Sequence, residues 1–521
     1  MTATIIIRDG MAYVDLPDPA LTDLLVEVCS FKVVAHDKRG NRRDNKRKLY
    51  SRGKMPVGLL DRSCRVLQAA GVVPEVFLAD TSTSAKPGLM TAVVGVEPRD
   101  YQAEALLAAQ LNDRGIFRVP TGGGKSLIGA MIIEARQRHA LVIVPTIDLL
   151  YQYKDYLAVH LVADYSARMV MVGDHLIDNG RWHIGQLGDG VVDPQPVTVA
   201  TIRTAAKVLG IAYESYEFAE YDDSDDTKVR AGELRGWVEN IGTLIIDEAH
   251  ILGARVVFEV ANKIPATAKY GMSASPWRDD GADLMIEAAT GPALFHADCK
   301  RLVDGGYLMA PEIIVYDTST WWSSAAWGTV CKRCKKQWLT WTQRCECGCR
   351  TFRSQWMEAY KVEIVENQVR NERIAQIVND LQNQGRITLV LVKQITHGRT
   401  LRDLIPGSVF LSGQNRGQDR HDVLDAMRTG RLHTIVATQI ADMGLDIPNL
   451  SALVLAGGGK SSTRHLQRIG RVVRPFAGKS RPVVVDFCDA HIHPWFGRHE
   501  HERRRIEHEE WADLASWSTR G

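Results

Sequence analysis

The stretch Pro120-Thr121-Gly122-Gly123-Gly124-Lys125-Ser126 decides the fold. It follows the strand-like run Gly115–Val119 and precedes the helical pattern LIGAMIIEA of residues 127–135. Three consecutive glycines let backbone N–H groups close round phosphate oxygens at a helix N-terminus. In that reading Thr121, Gly122, Gly123 and Gly124 line the phosphates, Lys125 reaches the β- and γ-phosphates, and the Ser126 hydroxyl ligates Mg2+. One position departs from the phosphate-loop pattern: Val119 stands where its first glycine belongs.

On both sides of this loop, short apolar runs alternate with helical patterns. Ala140–Pro145, Val197–Ala200, Thr243–Asp247 and Lys269–Ser273 form one series. Ile387–Val392, Ser408–Leu411, Thr434–Ala437, Ala452–Ala456 and Pro482–Asp486 form a second. β-Branched runs followed by helices mark βαβ units with buried parallel sheets, so two α/β domains stand in tandem. The run Leu244–Ile246 ends in Asp247-Glu248-Ala249-His250. A carboxylate at the end of a strand suits a second Mg2+ contact, assigned to Asp247, and Glu248 beside it suits polarisation of an attacking water. The second series ends in Gln467-Arg468-Ile469-Gly470-Arg471-Val472-Val473-Arg474. Arg471 and Arg474 are three apart and share a helix face, as arginines that stabilise a transferring phosphoryl group must.

These motifs, with Ser273-Ala274-Ser275 between them, resemble motifs I, II, III and VI of the superfamily 2 helicases and translocases, in that order along the chain. The resemblance spans about Val93–Asp486 and implies two RecA-like domains clamping ATP·Mg2+, with Lys125, Asp247, Glu248, Gln467, Arg471 and Arg474 in catalytic roles. It implies that Arg99-Asp100-Tyr101-Gln102 reads adenine, with Arg99 and Gln102 as contacts. Pro145-Thr146 and Ala200-Thr201-Ile202 resemble motifs Ia and Ib, so Pro145, Thr146 and Thr201 are expected on the nucleic-acid backbone. Ala437-Thr438-Gln439 to Gly444-Leu445-Asp446-Ile447-Pro448 is similar to motif V, which puts Thr438 on the strand and Gly444 and Asp446 beside the nucleotide. Arg278-Asp279-Asp280 resembles the Arg-Glu-Asp element of the XPB-like branch, with Asp for Glu, and makes Arg278 a DNA contact.

The N-terminal 90 residues hold 14 Lys+Arg and 10 Asp+Glu, although the whole chain of 521 residues carries a formal charge of only +2. Ten basic and two acidic residues lie between Lys32 and Lys54, interspersed with Gly and Asn. Such a stretch makes backbone contacts that release counterions and carry no sequence code; Arg42, Arg43, Lys46 and Arg47 are its candidate DNA contacts. Ser30-Phe31, the basic stretch, Lys48-Leu49-Tyr50 and Met55-Pro56-Val57-Gly58-Leu59 resemble the small leading domain of the UvsW-type bacteriophage recombination helicases. That resemblance implies a substrate of forks, Holliday junctions and R-loops, and by analogy 3′→5′ polarity. The Ser/Thr/Pro/Gly-rich stretch Ala79–Gly88 reads as a linker, and the seven carboxylates of Glu214–Asp226 read as a solvated loop.

Five of the nine cysteines crowd into Cys331-x-x-Cys334 and Cys345-x-Cys347-x-Cys349. Two sulfur pairs suit a tetrahedral structural Zn2+ of the zinc-ribbon kind, four of the five cysteines being ligands. Six tryptophans within residues 320–356 either cover such a ribbon or stack on unpaired bases. Cys29, Cys64, Cys299 and Cys488 are isolated and read as buried thiols. The tail, with His491, His493, His499, His501, His508 and Arg503–Arg505, reads as a solvated helix rather than a second metal site.

The expected architecture is therefore α/β: two tandem RecA-like parallel-sheet motor domains, a small N-terminal α+β domain and a zinc-ribbon-like insertion. The boundaries are 1–88 for the basic DNA-binding domain, 89–305 for the ATP-binding domain, and 306–521 for the second motor domain with the insertion at 320–357. The expected enzyme is a DEAH-box ATP-dependent DNA helicase of recombination, repair or replication, with ATP, Mg2+ and structural Zn2+. Its expected partners are branched or forked DNA, single strands, and recombination or single-strand-binding proteins. No run reaches the ~18–20 apolar residues of a membrane span, and cysteine usage fits a reducing cytoplasm, that of a bacterial host if phage-encoded; a monomer is expected. An RNA helicase and a restriction-type DNA translocase subunit are the alternatives, separable by ATPase stimulation with forked DNA against RNA. A P-loop kinase or switch would lack Gln467–Arg474, and a scaffold with a vestigial ATPase would lack Lys125, Glu248 and Arg474.

Overall fold

The computed structural model describes the chain apart from residues 9, 37–41, 80–87, 90, 164–168, 173–174, 179–182, 213–226, 250–253, 275–282, 322–328, 332–336, 339–345, 348–350, 354–358, 416, 439–446, 458–461, 493, 512 and 521. It forms two compact units, Met1–Pro120 with Gly124–Ala297, and Thr121–Gly123 with Asp298–Gly521.

The first unit is built on an eight-stranded sheet. Its order is Val191–Asp193, Gly185–Gly188, Val197–Thr201, Ala140–Val144, Thr243–Ile246, Ala268–Ser273, Arg114–Arg118 and Ala293–His296. Every pairing is parallel except that of the edge hairpin Gly185–Gly188/Val191–Asp193. The central strands are β-branched and buried along their whole length, as a sheet with helices on both faces demands. The expected runs fall on these strands to within a residue or so; the terminal strand Ala293–His296 and the edge hairpin had no such signal.

Residues 1–88 keep a sheet of their own, ordered Lys54–Pro56, Met11–Asp15, Thr2–Arg8 and Val73–Leu78. Ser30–His36 and Arg42–Lys48 pair as an antiparallel hairpin, from Ser30↔Lys48 to His36↔Arg42. This segment is not a separately packed head. Ala3, Ile5, Leu25, Met55, Leu59 and Leu67 share one core with Leu284 and Ala288 of the helix Asp283–Thr290. At Gly58 the backbones approach so closely that a Cβ would lie 2.6 Å from the Ala288 carbonyl oxygen. Arg62 adds a two-pronged ion pair to Glu287, with Nε–Oε1 at 3.0 Å and Nη2–Oε2 at 2.6 Å.

The second unit is built on a seven-stranded, wholly parallel sheet: Val409–Leu411, Thr434–Thr438, Thr388–Val392, Ala452–Val454, Val483–Cys488, Glu312–Asp317 and Ser516–Arg520. Trp321 joins the core of this unit against Tyr316 and Phe487, with ring centroids 6.0 and 5.9 Å apart. Within the insertion, Thr329–Cys331 pairs antiparallel with both Gln337–Trp338 and Thr351–Arg353. The tail is a helix, Pro494–Trp511, as expected, but it is not solvated all round. Arg503, Ile506, Glu507 and Trp511 are buried, and the chain then returns to the sheet as Ser516–Arg520.

Candidate nucleotide and nucleic-acid site

The nucleotide motifs collect at the C-terminal ends of the first unit's parallel strands, where loops of open α/β sheets bind ligands. The strand Arg114–Arg118 leads into Val119, whose N–H donates to the Ser273 carbonyl at 2.9 Å and whose side chain is fully buried. Val119 thus serves as the last rung of the sheet. Gly122 and Gly124 have φ of 88° and 79°, the left-handed region that a side chain would strain. Gly124 opens the helix Lys125–Arg136, whose first N–H groups and positive dipole end suit an anion.

Gln102 is buried beside this loop. Its Oε1 accepts from the Arg99 N–H at 2.9 Å, and a Cβ on Gly124 would come 2.5 Å from its Nε2. The residue expected to read the base is therefore packed directly on the loop expected to hold the phosphates.

Asp247 and Glu248 follow the strand Thr243–Ile246 and are both buried. Lys125 Nζ lies 2.8 Å from Glu248 Oε1, with both side chains only 10% exposed. The Asp247 Oδ1 accepts from the Glu248 N–H at 3.0 Å, and Glu248 itself is held at φ 49°. Burial first, and the Glu248 charge second, push the Asp247 carboxyl up to about 7 against the pull of Lys125. Two crowded carboxylates against one lysine fit a divalent cation, which Asp247 and the Ser126 hydroxyl would hold.

Thr201 ends the strand Val197–Thr201, paired Thr201↔Val144, Thr146 follows two residues after the neighbouring strand, and each caps the next helix. Thr146 Oγ1 accepts from the Leu149 N–H at 3.3 Å, and Thr201 Oγ1 from the Thr204 N–H at 3.1 Å. The Thr201 side chain is fully buried, so its hydroxyl organises the loop and is not offered to a strand of nucleic acid. Pro145 lies in the turn beside Thr146. Lys46 and Arg47 are exposed on the N-terminal hairpin; Arg42 and Arg43 occupy its second strand by backbone register.

In the second unit, Thr438 ends a buried strand, and its hydroxyl has no protein partner among the described residues. Arg471 and Arg474 are half-buried at the end of the helix Ser462–Val472, which also carries Gln467. Arg278, Ser275, Gly444 and Asp446 lie outside the described residues, as do Glu214–Asp226, Cys334, Cys345 and Cys349. Cys331 stands on the strand Thr329–Cys331 and Cys347 is exposed. Among the described residues no cluster of His, Cys, Asp or Glu forms a metal centre, and no helix is long and apolar enough to cross a membrane.

Two features escaped the motifs. Tyr153 is buried with its hydroxyl packed against Gly129 of the phosphate-loop helix, and that oxygen has no protein partner among the described residues. His465 and Glu507 form a buried contact, Nε2 to Oε1, at 2.5 Å. Neither shows in sequence, because each depends on pairing between distant segments.

The type III restriction enzyme res-subunit family matches residues 95–278, and the helicase conserved C-terminal domain matches residues 371–475. The chain is 25% identical over 395 residues to the DNA 3'-5' translocase XPB2 of Sulfurisphaera tokodaii, covering 73% of this chain and 79% of that protein. It is 23% identical to the ATP-dependent DNA helicase uvsW of Enterobacteria phage T4, covering 76% of this chain and 69% of the other. Among solved structures, a fragment of an HsdR subunit of a type I restriction enzyme from Vibrio vulnificus shares the fold, with a TM-score of 0.51 at 14% identity over 92% of this chain and 76% of that one.

Proposed function

The chain belongs to superfamily 2 of the helicases, and from that premise we propose that it is an ATP-driven DNA helicase that moves 3′→5′ and remodels forks, Holliday junctions and R-loops. The observation that carries the reading is the Lys125–Glu248–Asp247 constellation at the C-terminal edge of a parallel sheet. Its chemistry is phosphoryl transfer to water. Lys125 leaves Glu248 to grip the β- and γ-phosphates, while Ser126 and Asp247 hold Mg2+, which supplies charge neutralisation on the phosphates when bound. Glu248, freed of Lys125, orients the attacking water and takes its proton. Gln102, supported by Arg99, reads the adenine. Arg471 and Arg474, with Gln467, stabilise charge on the transferring group.

Recognition of branched DNA rests on the hairpin that carries Lys46 and Arg47. The shared core and the Arg62–Glu287 pair hold its domain against the helix Asp283–Thr290 of the first unit, from which the basic hairpin extends as a two-stranded sheet of its own. A sequence-blind phosphate contact on the domain docked to a translocating motor favours junction shape over base identity. The insertion is assigned a structural Zn2+ on four of Cys331, Cys334, Cys345, Cys347 and Cys349; its three-stranded antiparallel frame supports that assignment. Protein purified without chelator should carry one zinc per chain, and metal analysis finding none would remove the ribbon.

The test of the function is a substrate panel of fork, Holliday junction, R-loop, linear duplex and single-stranded RNA, with ATP. ATP-dependent conversion of the branched DNAs supports the reading. Hydrolysis stimulated by RNA but not by forks would replace it with an RNA helicase.

A further inference from the structure

The tail helix Pro494–Trp511 reads PWFGRHEHERRRIEHEEW, a composition that by itself predicts a solvated surface helix. Instead its centre is buried against the helix Ser462–Val472. Glu507 is fully buried and accepts through Oε1 from His465 Nε2 at 2.5 Å, and through Oε2 from Arg504 Nη1 at 2.7 Å. Arg504 Nη2 continues to Asp486 Oδ2 at 3.1 Å, and Arg503 meets the same carboxylate through Nε at 2.9 Å and Nη2 at 3.3 Å. Asp486 is fully buried on the strand Val483–Cys488. A continuous chain of hydrogen-bonded polar and charged side chains therefore ties the helix of residues 462–472 to the sheet by way of the tail helix.

The rotation of that helix is what this chain fixes. At about 100° per residue, His465, Arg468, Ile469 and Val472 fall on one face within about 100° of each other; all four are buried. Position 471 falls roughly 120° away from His465 on the same count, and Arg474 follows two residues after the helix ends at Val472. Holding His465 inward thus turns Arg471 away from that face and fixes the point at which the chain leaves the helix toward Arg474. Buried ion pairs contribute little net stability against apolar replacements, and their best-attested use is to select one geometry.

We propose that Glu507, acting through His465, is a positioning residue for ATP hydrolysis, and that the tail helix is a brace that sets the aim of the arginine helix. The inference rests on the function proposed above. The test uses the full chain and measures DNA-stimulated kcat, KM for ATP, and thermal melting. His465→Leu keeps volume and leaves Glu507 paired with Arg504; His465→Gln keeps an N–H donor. His465→Leu should lower kcat about tenfold to a hundredfold with KM for ATP within about twofold, and His465→Gln should return kcat to within about threefold of wild type. In a background with both Arg471→Ala and Arg474→Ala, His465→Leu should lower kcat no further, because the brace acts only through the arginines. A drop of the same factor in both backgrounds, or wild-type kcat in a folded His465→Leu protein, would overturn the proposal. If His465→Leu does not melt cooperatively, Glu507→Ala is put through the same cycle from the partner side. A wild-type protein without ATPase on any nucleic acid would instead bring down the functional reading on which the proposal rests.

Discussion

Replacing Glu248 with Gln changes two steps in opposite directions. The lysine that must grip phosphate is held at 2.8 Å by the carboxylate that must activate water, and both groups are shielded from solvent. A hydrogen bond to a charged group contributes about 1.5–3 kcal/mol, and a neutral one about 0.5–1.5 kcal/mol. Nucleotide binding has to break this contact, so the amide lowers the competing term by about 1 kcal/mol, equivalent to about fivefold tighter binding. The substitution also removes one of the two causes that raise the Asp247 carboxyl, which favours the charged form that holds Mg2+. The chemical step moves the other way. Losing the base costs about 10²–10⁴-fold in rate, or about 3–5 kcal/mol in barrier. Titration with a fluorescent ADP and phosphate release on forked DNA measure the two effects on one preparation. A Glu248→Gln protein that hydrolyses within tenfold of wild type, or binds nucleotide more weakly, would refute the reasoning.

Gly58→Ala should lower the melting temperature of the first unit by an amount equivalent to about 1–3 kcal/mol, because its Cβ meets backbone of the helix Asp283–Thr290; Gly236→Ala, with open space around it, should not. Neutralising Arg42, Arg43, Lys46 and Arg47 together should weaken branched-DNA binding and flatten log K against log salt by about 0.9 for each phosphate no longer neutralised; an unchanged slope would remove the hairpin from the interface. Burial by itself raises the Asp486 carboxyl, but Arg503 and Arg504, with His465, outweigh it and hold it down at about 2. The folded value lies below the unfolded one of about 3.9, so this stabilisation is present above about pH 4 and is lost as pH falls toward about 2. Asp486→Asn should therefore be less stable than wild type at neutral pH, the gap closing in melts taken toward strongly acidic pH; a gap that stays constant with pH would contradict the pairing.

The two parallel sheets were legible because buried strands must be apolar on both faces, and VIVP, LIID, TLVLV and TIVAT leave few alternatives. The nucleotide residues were legible for a related reason: phosphate chemistry fixes residue types within a few positions of each other on one loop. Edge elements were not. Ser516–Arg520 reads SWSTR, and its place in the sheet comes from pairing with Glu312–Asp317, some 200 positions earlier. The docking of the N-terminal sheet was likewise invisible, since Gly58 and Arg62 carry no mark of Ala288 and Glu287 more than 220 residues away. The Thr201 hydroxyl, expected on nucleic acid, is committed to its own helix, which spacing alone does not show.

A formal charge of +2 over 521 residues counts every arginine equally, and the fold does not. Arg503 and Arg504 are committed to Asp486, and Arg504 also to Glu507. Arg370, fully buried, is committed to Asp489 at 2.9 Å. These arginines are closed off from any phosphate, whereas Lys46, Arg47 and Lys48 stand exposed on one hairpin. Subtracting the internally paired charges removes acids and bases in near-equal number, so the net charge hardly changes while its location does. On the function proposed above, Lys46, Arg47 and Lys48 are the charges offered to DNA, on a domain docked to the helix Asp283–Thr290. Affinity for DNA should therefore follow the charge of that hairpin, and turnover should follow the arginine helix braced by Glu507. Variants of the two regions should separate these quantities: hairpin neutralisation raises the DNA concentration needed for half-maximal ATPase at unchanged kcat, and His465→Leu lowers kcat at unchanged DNA requirement. If either variant moves both quantities together, the binding charge and the catalytic brace are not the independent devices that their separate packing makes them.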